Sequence, residues 1–275
     1  MASQQEILDI NGVDVHVTVD GPENAPTLTF AHALSLDLRS FDPQVAAFRD
    51  KYKVVRLDLR GHGKSDVGGG PFSIEDLADD VAGVLDRLRI KRTHFVGCSL
   101  GAMAGMALAF NYRDRLSSLT FMASQGALPP ERIVTARESL AKRRASDATP
   151  KTTFADQTEA MLARLLGDID EAAATETFAL LRQILGETTL FGQARAYEAI
   201  FRMNYDTRRT EITTPTLVLA GAADSSTPPE RMQMYADGIA GARMVILKKA
   251  GHFPNVEAPE AFNSALTAFL DGLSD

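Results

Sequence analysis

The sequence predicts an α/β fold built on a mostly parallel central sheet, and three observations predict it. Short apolar, β-rich runs recur at residues 27–32, 54–57, 93–96, 116–122, 216–219 and 244–247, each bounded by turn residues. Runs of this kind suit strands covered on both faces. Helical patterns separate several of them, the alternation that produces parallel sheets. The N-terminus precedes this rhythm, with the strict alternation of a half-exposed hairpin.

Taken in order, ILDI and VDVHVTV flank Asn11-Gly12, a strong two-residue turn signal, so residues 6–19 read as that hairpin. Ser73, with Asp76 three residues on, caps a helix through Leu88. Its apolar residues Leu77, Val81, Val84, Leu85 and Leu88 share one face. Residues 101–112, dense in Ala and Met, form another helix; 228–236 and 259–273 read as the last two. From 129 to 208 the alternation stops. TARESLAKRRA and TETFALLRQIL are helical in pattern, and the stretch is too long for an ordinary loop. It reads as a helical insertion lying over the sheet edge. The chain then divides into a core of residues 1–128 and 209–275 and an insertion of 129–208.

Composition narrows the function classes. A chain of 275 residues holds one large core and a modest addition, not two full enzymatic domains. Net charge is −7 and no basic stripe is present, so nucleic acid is not an expected partner. MASQQEILDI lacks the basic-then-apolar pattern of a leader, and no apolar run approaches the roughly 20 residues that span a bilayer. With one cysteine, Cys98, no internal disulfide can form. A cytoplasmic protein without a membrane partner is the expectation. The glycines of RGHG and GGG do not form the GxxxxGK[ST] pattern that cradles phosphates. Association into a homo-oligomer is left open.

Gly97-Cys98-Ser99-Leu100-Gly101 follows the strand THFV and opens the helix GAMAGMALAF. That context makes GxSxG informative: a turn so tight strains the serine and exposes its Oγ as a nucleophile. Cys98 is a rival in principle. Neighbouring side chains at such a turn point in different directions, however, and a buried thiol is the simpler reading. A serine needs a base, and the chain has five histidines. His16 sits in the hairpin, His94 inside a strand, and His62 in a loop whose structure it holds. His32 ends a strand and belongs to the oxyanion region. His252 follows the last strand, at the carboxyl end of the sheet, where open α/β sheets place their sites. The acid is expected between serine and histidine in chain order. Asp224, just after the strand TLVLAG, meets that condition; Asp206 lies in the insertion, and SQGALPP has no carboxylate before Glu131. Charge on the attacked carbonyl oxygen needs fixed N–H donors, and the backbone of Leu100 and of Leu34 is assigned to them.

Together FDPQVAAF, VVRLDLRGHGKSD, FVGCSLGAMAG, GAADSSTPPE and AGHFPNVEAPEAF resemble the α/β-hydrolase superfamily. Within it they are most similar to the 3-oxoadipate enol-lactonases and their esterase relatives, over about residues 10–125 and 211–273. The resemblance implies an α/β-hydrolase fold with Ser99 as nucleophile, His252 as base and Asp224 as acid. It also implies that 129–208 is a helical cap over the pocket. Arg137 matches an arginine near the start of the lactonase cap. Val134 stands where those enzymes carry a tryptophan, a residue this chain lacks.

A small-molecule ester or lactone is the expected partner, cleaved by acyl transfer to water without metal or cofactor. Arg137 is a candidate for binding a substrate carboxylate, and His32 for a substrate contact. Met161, Leu165, Phe178, Leu181, Phe191, Phe201 and Met203 either line an apolar pocket or pack the insertion's own helices. Two further readings use the same residues: perhydrolysis or carbon–carbon cleavage on one triad, and a ligand receptor that keeps the pocket without turnover.

Overall fold

A computed structural model describes residues 3–145, 155–166 and 175–273. Its eight strands are β1 (Gln4–Ile10), β2 (Val13–Asp20), β3 (Thr27–Ala31), β4 (Lys53–Leu57), β5 (Thr93–Cys98), β6 (Leu116–Met122), β7 (Thr216–Gly221) and β8 (Arg243–Leu247). They form one sheet in the order β1-β2-β4-β3-β5-β6-β7-β8. The first hairpin closes on Asn11 and Gly12, both at positive φ (53° and 74°), as a two-residue turn with the strands' own twist requires. β2 runs antiparallel to β1 and β4; every other pairing is parallel.

The core helices are α1 (Asp42–Phe48), α2 (Ile74–Arg87) and α3 (Leu100–Asn111). The described residues between β6 and β7 add α4 (Pro130–Ala145), α5 (Thr158–Leu165), α6 (Thr175–Glu187) and α7 (Leu190–Arg202), and no strand. α8 (Pro229–Gly238), α9 (Pro254–Glu257) and α10 (Pro259–Leu270) complete the chain. α2 starts on a reciprocal capping box, Ser73 Oγ accepting the Asp76 N–H while the Asp76 carboxylate accepts the Ser73 N–H. The short helices α1 and α9 each open with a proline in the first turn and are too brief to show a period.

Two apolar cores lie on the two faces of the sheet. On β5, Phe95 joins the core that α2, α3 and α8 cover, with Leu77, Met106 and Met232. Val96 and Cys98 join the opposite core, with Phe48 of α1 and Phe262 and Leu266 of α10. Burial on both faces explains why these strands read as continuous apolar runs. The chain leaves β3 toward β4 but leaves β5, its other neighbour, toward β6. Their connections diverge and open a crevice at the carboxyl ends, the switch point of a doubly wound sheet.

Beneath that crevice two buried imidazoles, His32 and His62, lie with ring centroids 5.1 Å apart. Burial, outweighing the pull of Asp58, holds His32 below the ordinary histidine value. Burial and the neighbouring His32 push His62 down to about 3. In the unfolded chain His62 regains its ordinary 6.5, so below that pH the unfolded state binds a proton the native state refuses. Stability is therefore complete above 6.5 and falls as the medium acidifies toward the folded-state value. The melting midpoint is expected to drop between pH 6.5 and about 4, and to drop less steeply in His62→Asn, as read by calorimetry across that range. Equal slopes for the two proteins would remove His62 as the cause.

Candidate active site

The site is assembled by the loops that follow β3, β5, β7 and β8. Ser99 stands between β5 and α3 with φ 48° and ψ −107°, a conformation costly for a residue with a side chain. What imposes it is close approach. A Cβ on Gly101 would lie 2.1 Å from the Ala31 carbonyl oxygen, and one on Gly97 would lie 2.4 Å from the Gly101 backbone. The Gly101 N–H donates to the His32 carbonyl at 3.0 Å, and the Ser99 N–H to Met122 at 2.9 Å. The turn is thus pinned to the ends of β3 and β6.

His252 and Asp224 meet Ser99 there. Asp224 Oδ2 accepts the His252 Nδ1–H at 2.8 Å. This leaves Nε2 of a neutral ring as an acceptor, 3.2 Å from the Ser99 hydroxyl. Asp224 also accepts the N–H groups of Ser226 (2.8 Å) and Thr227 (3.0 Å) and the Thr227 hydroxyl (2.6 Å). Burial works to raise its carboxyl, but the bonds from His252 and Thr227 outweigh burial and hold it below the usual range. The His252 loop is braced twice. Glu257 accepts the N–H groups of Gly251 and Phe253, each at 2.7 Å, and the His252 N–H donates to the Leu165 carbonyl at the end of α5, at 2.8 Å. Cys98 is buried, its thiol pushed well up by burial and then by the charges of Asp224 and Glu257.

Among the described residues, the N–H groups of Leu34 and Leu100 have no protein acceptor. Leu34 lines the same cleft as Ser99 and His252. His32, expected as a substrate contact, takes a different place. It is completely buried: its Nε2 accepts the Leu59 N–H at 2.9 Å and its Nδ1–H donates to the Ala33 carbonyl at 2.8 Å. Since C=O and N–H of one planar peptide point in opposite directions, this bond orients the Leu34 N–H.

The cleft encloses about 430 Å³, with Phe253, Met103 and Leu128 from the core beneath helices of the insertion. Arg137 does not line it. It is exposed, with its guanidinium over the Phe201 ring at 5.7 Å, and Phe201 in turn stacks on Tyr197, which does line the cleft. Two other arginines reach the cleft, Arg132 and Arg164. Helical spacing explains the exchange: Arg132, Thr135, Ala136 and Leu140 share one stripe of α4, and Met161, Arg164 and Leu165 one stripe of α5. Arg137 is one residue beyond Ala136, about 100° around the helix. Of the apolar residues expected at a pocket, Met161 and Leu165 line it. Phe178, Leu181 and Met203 pack into the cores, and Phe191 is exposed beneath Arg195. Asp206 is engaged elsewhere, by Arg231 and the Tyr235 hydroxyl.

The family model of the alpha/beta hydrolase fold matches residues 26–259. 3-Oxoadipate enol-lactonase 2 of Acinetobacter baylyi is 30% identical over 97% of this chain and 96% of its own length. Among solved structures, the enol-lactonase from Burkholderia xenovorans superimposes with a TM-score of 0.88 at 32% identity, over 97% of this chain and all (100%) of its own. A thermophilic esterase from Thermogutta terrifontis does so with a TM-score of 0.87 at 26% identity, over 100% of both chains. The resemblance read from the motifs is borne out.

Glu257 is expected to matter for stability as well as for placing His252. Glu257→Ala strips two N–H groups of a charged acceptor and should cost about 2 kcal/mol in urea denaturation. Glu257→Gln, which keeps one acceptor oxygen, should lose less. A Glu257→Ala midpoint equal to that of the unaltered chain would show that water replaces both bonds at no cost.

Proposed function

We propose that this chain, which belongs to the α/β-hydrolase fold family, cleaves small carboxylic esters or lactones through an acyl-enzyme formed on Ser99. The observation that carries the reading is the continuous hydrogen-bond relay Ser99–His252–Asp224, with His252 only 7% exposed at the floor of the cleft. The Ser99 oxygen attacks the carbonyl carbon as its proton passes to His252 Nε2, and Asp224 stabilises the imidazolium that forms. Leu34 and Leu100 donate to the oxyanion. The imidazolium returns its proton to the leaving oxygen as the C–O bond breaks. A water, deprotonated by the same nitrogen, then attacks the acyl carbon and releases the acid, with Ser99 reprotonated. With a lactone the leaving oxygen stays tethered, and one hydroxy acid, or a keto acid from an enol, is the product.

Relatives named as enol-lactonases, and the guanidinium groups of Arg132 and Arg164 at the cleft, favour an ester or lactone that carries its own carboxylate. One N–H of Arg132 donates to the Ser226 carbonyl at 2.6 Å, which leaves the rest of its fork for a ligand.

Ser99→Ala should lower kcat on p-nitrophenyl esters by roughly 10⁴–10⁶-fold with the melting midpoint retained, and Asp224→Asn by about 10⁴-fold. Full turnover in folded Ser99→Ala would end this reading. Removing both arginines should reduce kcat/KM for mono-p-nitrophenyl glutarate roughly 10–100-fold relative to p-nitrophenyl pentanoate. If both esters suffer alike, the arginines do not select for charge.

A further inference from the structure

The loop that carries Leu34 is a tight turn in which the Leu36 N–H donates to the Ala33 carbonyl at 3.0 Å. Its third residue, Ser35, has φ 67°, left-handed backbone that glycine adopts freely and serine does not. Ser35 is completely buried, and both of its exposable polar groups are gripped from the insertion. Its carbonyl accepts the Thr188 hydroxyl at 2.7 Å, and its hydroxyl accepts the Gln193 side-chain amide at 2.6 Å. Thr188 and Gln193 are themselves buried, at 5% and 1% exposure, in the junction between α6 and α7 and in the first turn of α7.

That junction is held firmly to the core. A Cβ on Gly192 would lie 1.8 Å from the Gly61 carbonyl oxygen, so the two backbones touch. Thr189 caps α7 by accepting the Gly192 N–H at 3.1 Å. Arg39, three residues beyond the turn, pairs with Glu187 at 2.5 Å. Three successive anchors therefore tie residues 35–39 to 187–193.

We propose that Thr188 and Gln193 are positioning residues of the oxyanion hole. By fixing Ser35 in its left-handed state they hold the Leu34 N–H where charge develops, so the insertion acts as a strut for the reaction as well as a wall of the pocket. The inference rests on the reading of Leu34 as an oxyanion donor. A displaced donor weakens the transition state and leaves ground-state binding nearly untouched, which separates positioning from simple packing.

The test measures steady-state kinetics on p-nitrophenyl esters together with inhibition by benzeneboronic acid, which forms a tetrahedral adduct on the serine. Thr188→Val and Gln193→Leu should each lower kcat about 10–100-fold. KM should stay within about twofold, and the boronate Ki should rise in step with the loss of kcat. Thr188→Ser, which restores the hydroxyl, should recover most of the loss. If Gln193→Leu fails to fold, Ser35→Ala reads the same contact: it removes only the hydroxyl that Gln193 grips, keeps a side chain at the strained φ, and should lose kcat in the same way; if Thr188→Val fails to fold, Thr188→Ala removes the same hydroxyl. Folded variants with full kcat, or with kcat and KM changed and boronate affinity unchanged, overturn the proposal. Leu34→Pro, which deletes the donor itself, separates the two levels. If it leaves kcat intact, the oxyanion reading fails; if it lowers kcat while the strut variants do not, the strut alone fails.

Discussion

The site depends on how closely the start of α3 approaches the end of β3. No side chain fits between Gly101 and the Ala31 carbonyl, and the Gly101 N–H is bonded to the last carbonyl of that strand region, on His32. That contact forces Ser99 into its strained φ and ψ. It also sets the Leu34 turn beside the first N–H groups of α3. Ser99 and the N–H groups beside it are thus placed by one packing constraint between α3 and β3, and the strain is sustained by two cores that fill both faces of the sheet.

Around this rigid floor the polar groups settle in layers. Asp224 is satisfied by four donors before any substrate arrives, which fixes the His252 ring through Nδ1. Under the Leu34 turn, burial disfavours the charged forms of His32 and His62. A neutral His32 is required there, since its Nε2 accepts one N–H while its Nδ1–H donates to a carbonyl. Protonated, it would present two donors and lose the Leu59 bond.

Much of this was legible in the residues. The apolar runs placed six strands within one or two residues of their observed limits, and Asn11-Gly12 located the hairpin. That Ser99, Asp224 and His252 lie together at the carboxyl ends of the strands was legible too, because those positions follow from chain order in a parallel sheet. What was not legible depends on which way a helix faces. Arg137 matched the lactonase arginine, yet the α4 stripe turns Arg132 toward the cleft. The stripe Arg132, Thr135, Ala136, Leu140 mixes polar with apolar residues, so no hydrophobic period announced it. His32 was misread for a related reason: a histidine at a strand end looks accessible in sequence, and only the fold shows both of its nitrogens already engaged. Thr227 and Glu257 were not legible because each acts within its own loop, Thr227 on Asp224 and Glu257 on the Gly251 and Phe253 N–H groups, and no motif spacing marks them.

The insertion leaves the sheet after β6 and re-enters at β7, strands that pair with each other. Those strands run parallel, so exit and re-entry lie at opposite edges of the sheet, but the Tyr205 N–H donates to the Gly126 carbonyl at 2.7 Å, which draws the two ends together, and the segment resembles a cassette. Swapping that cassette for a foreign one would leave strand order undisturbed, which makes it an inviting route to new substrate ranges. The donors at 188 and 193 attach a condition. A transplanted segment that lacks counterparts to them would leave the buried carbonyl and hydroxyl of Ser35 without partners, so any graft has to carry those two donors with it.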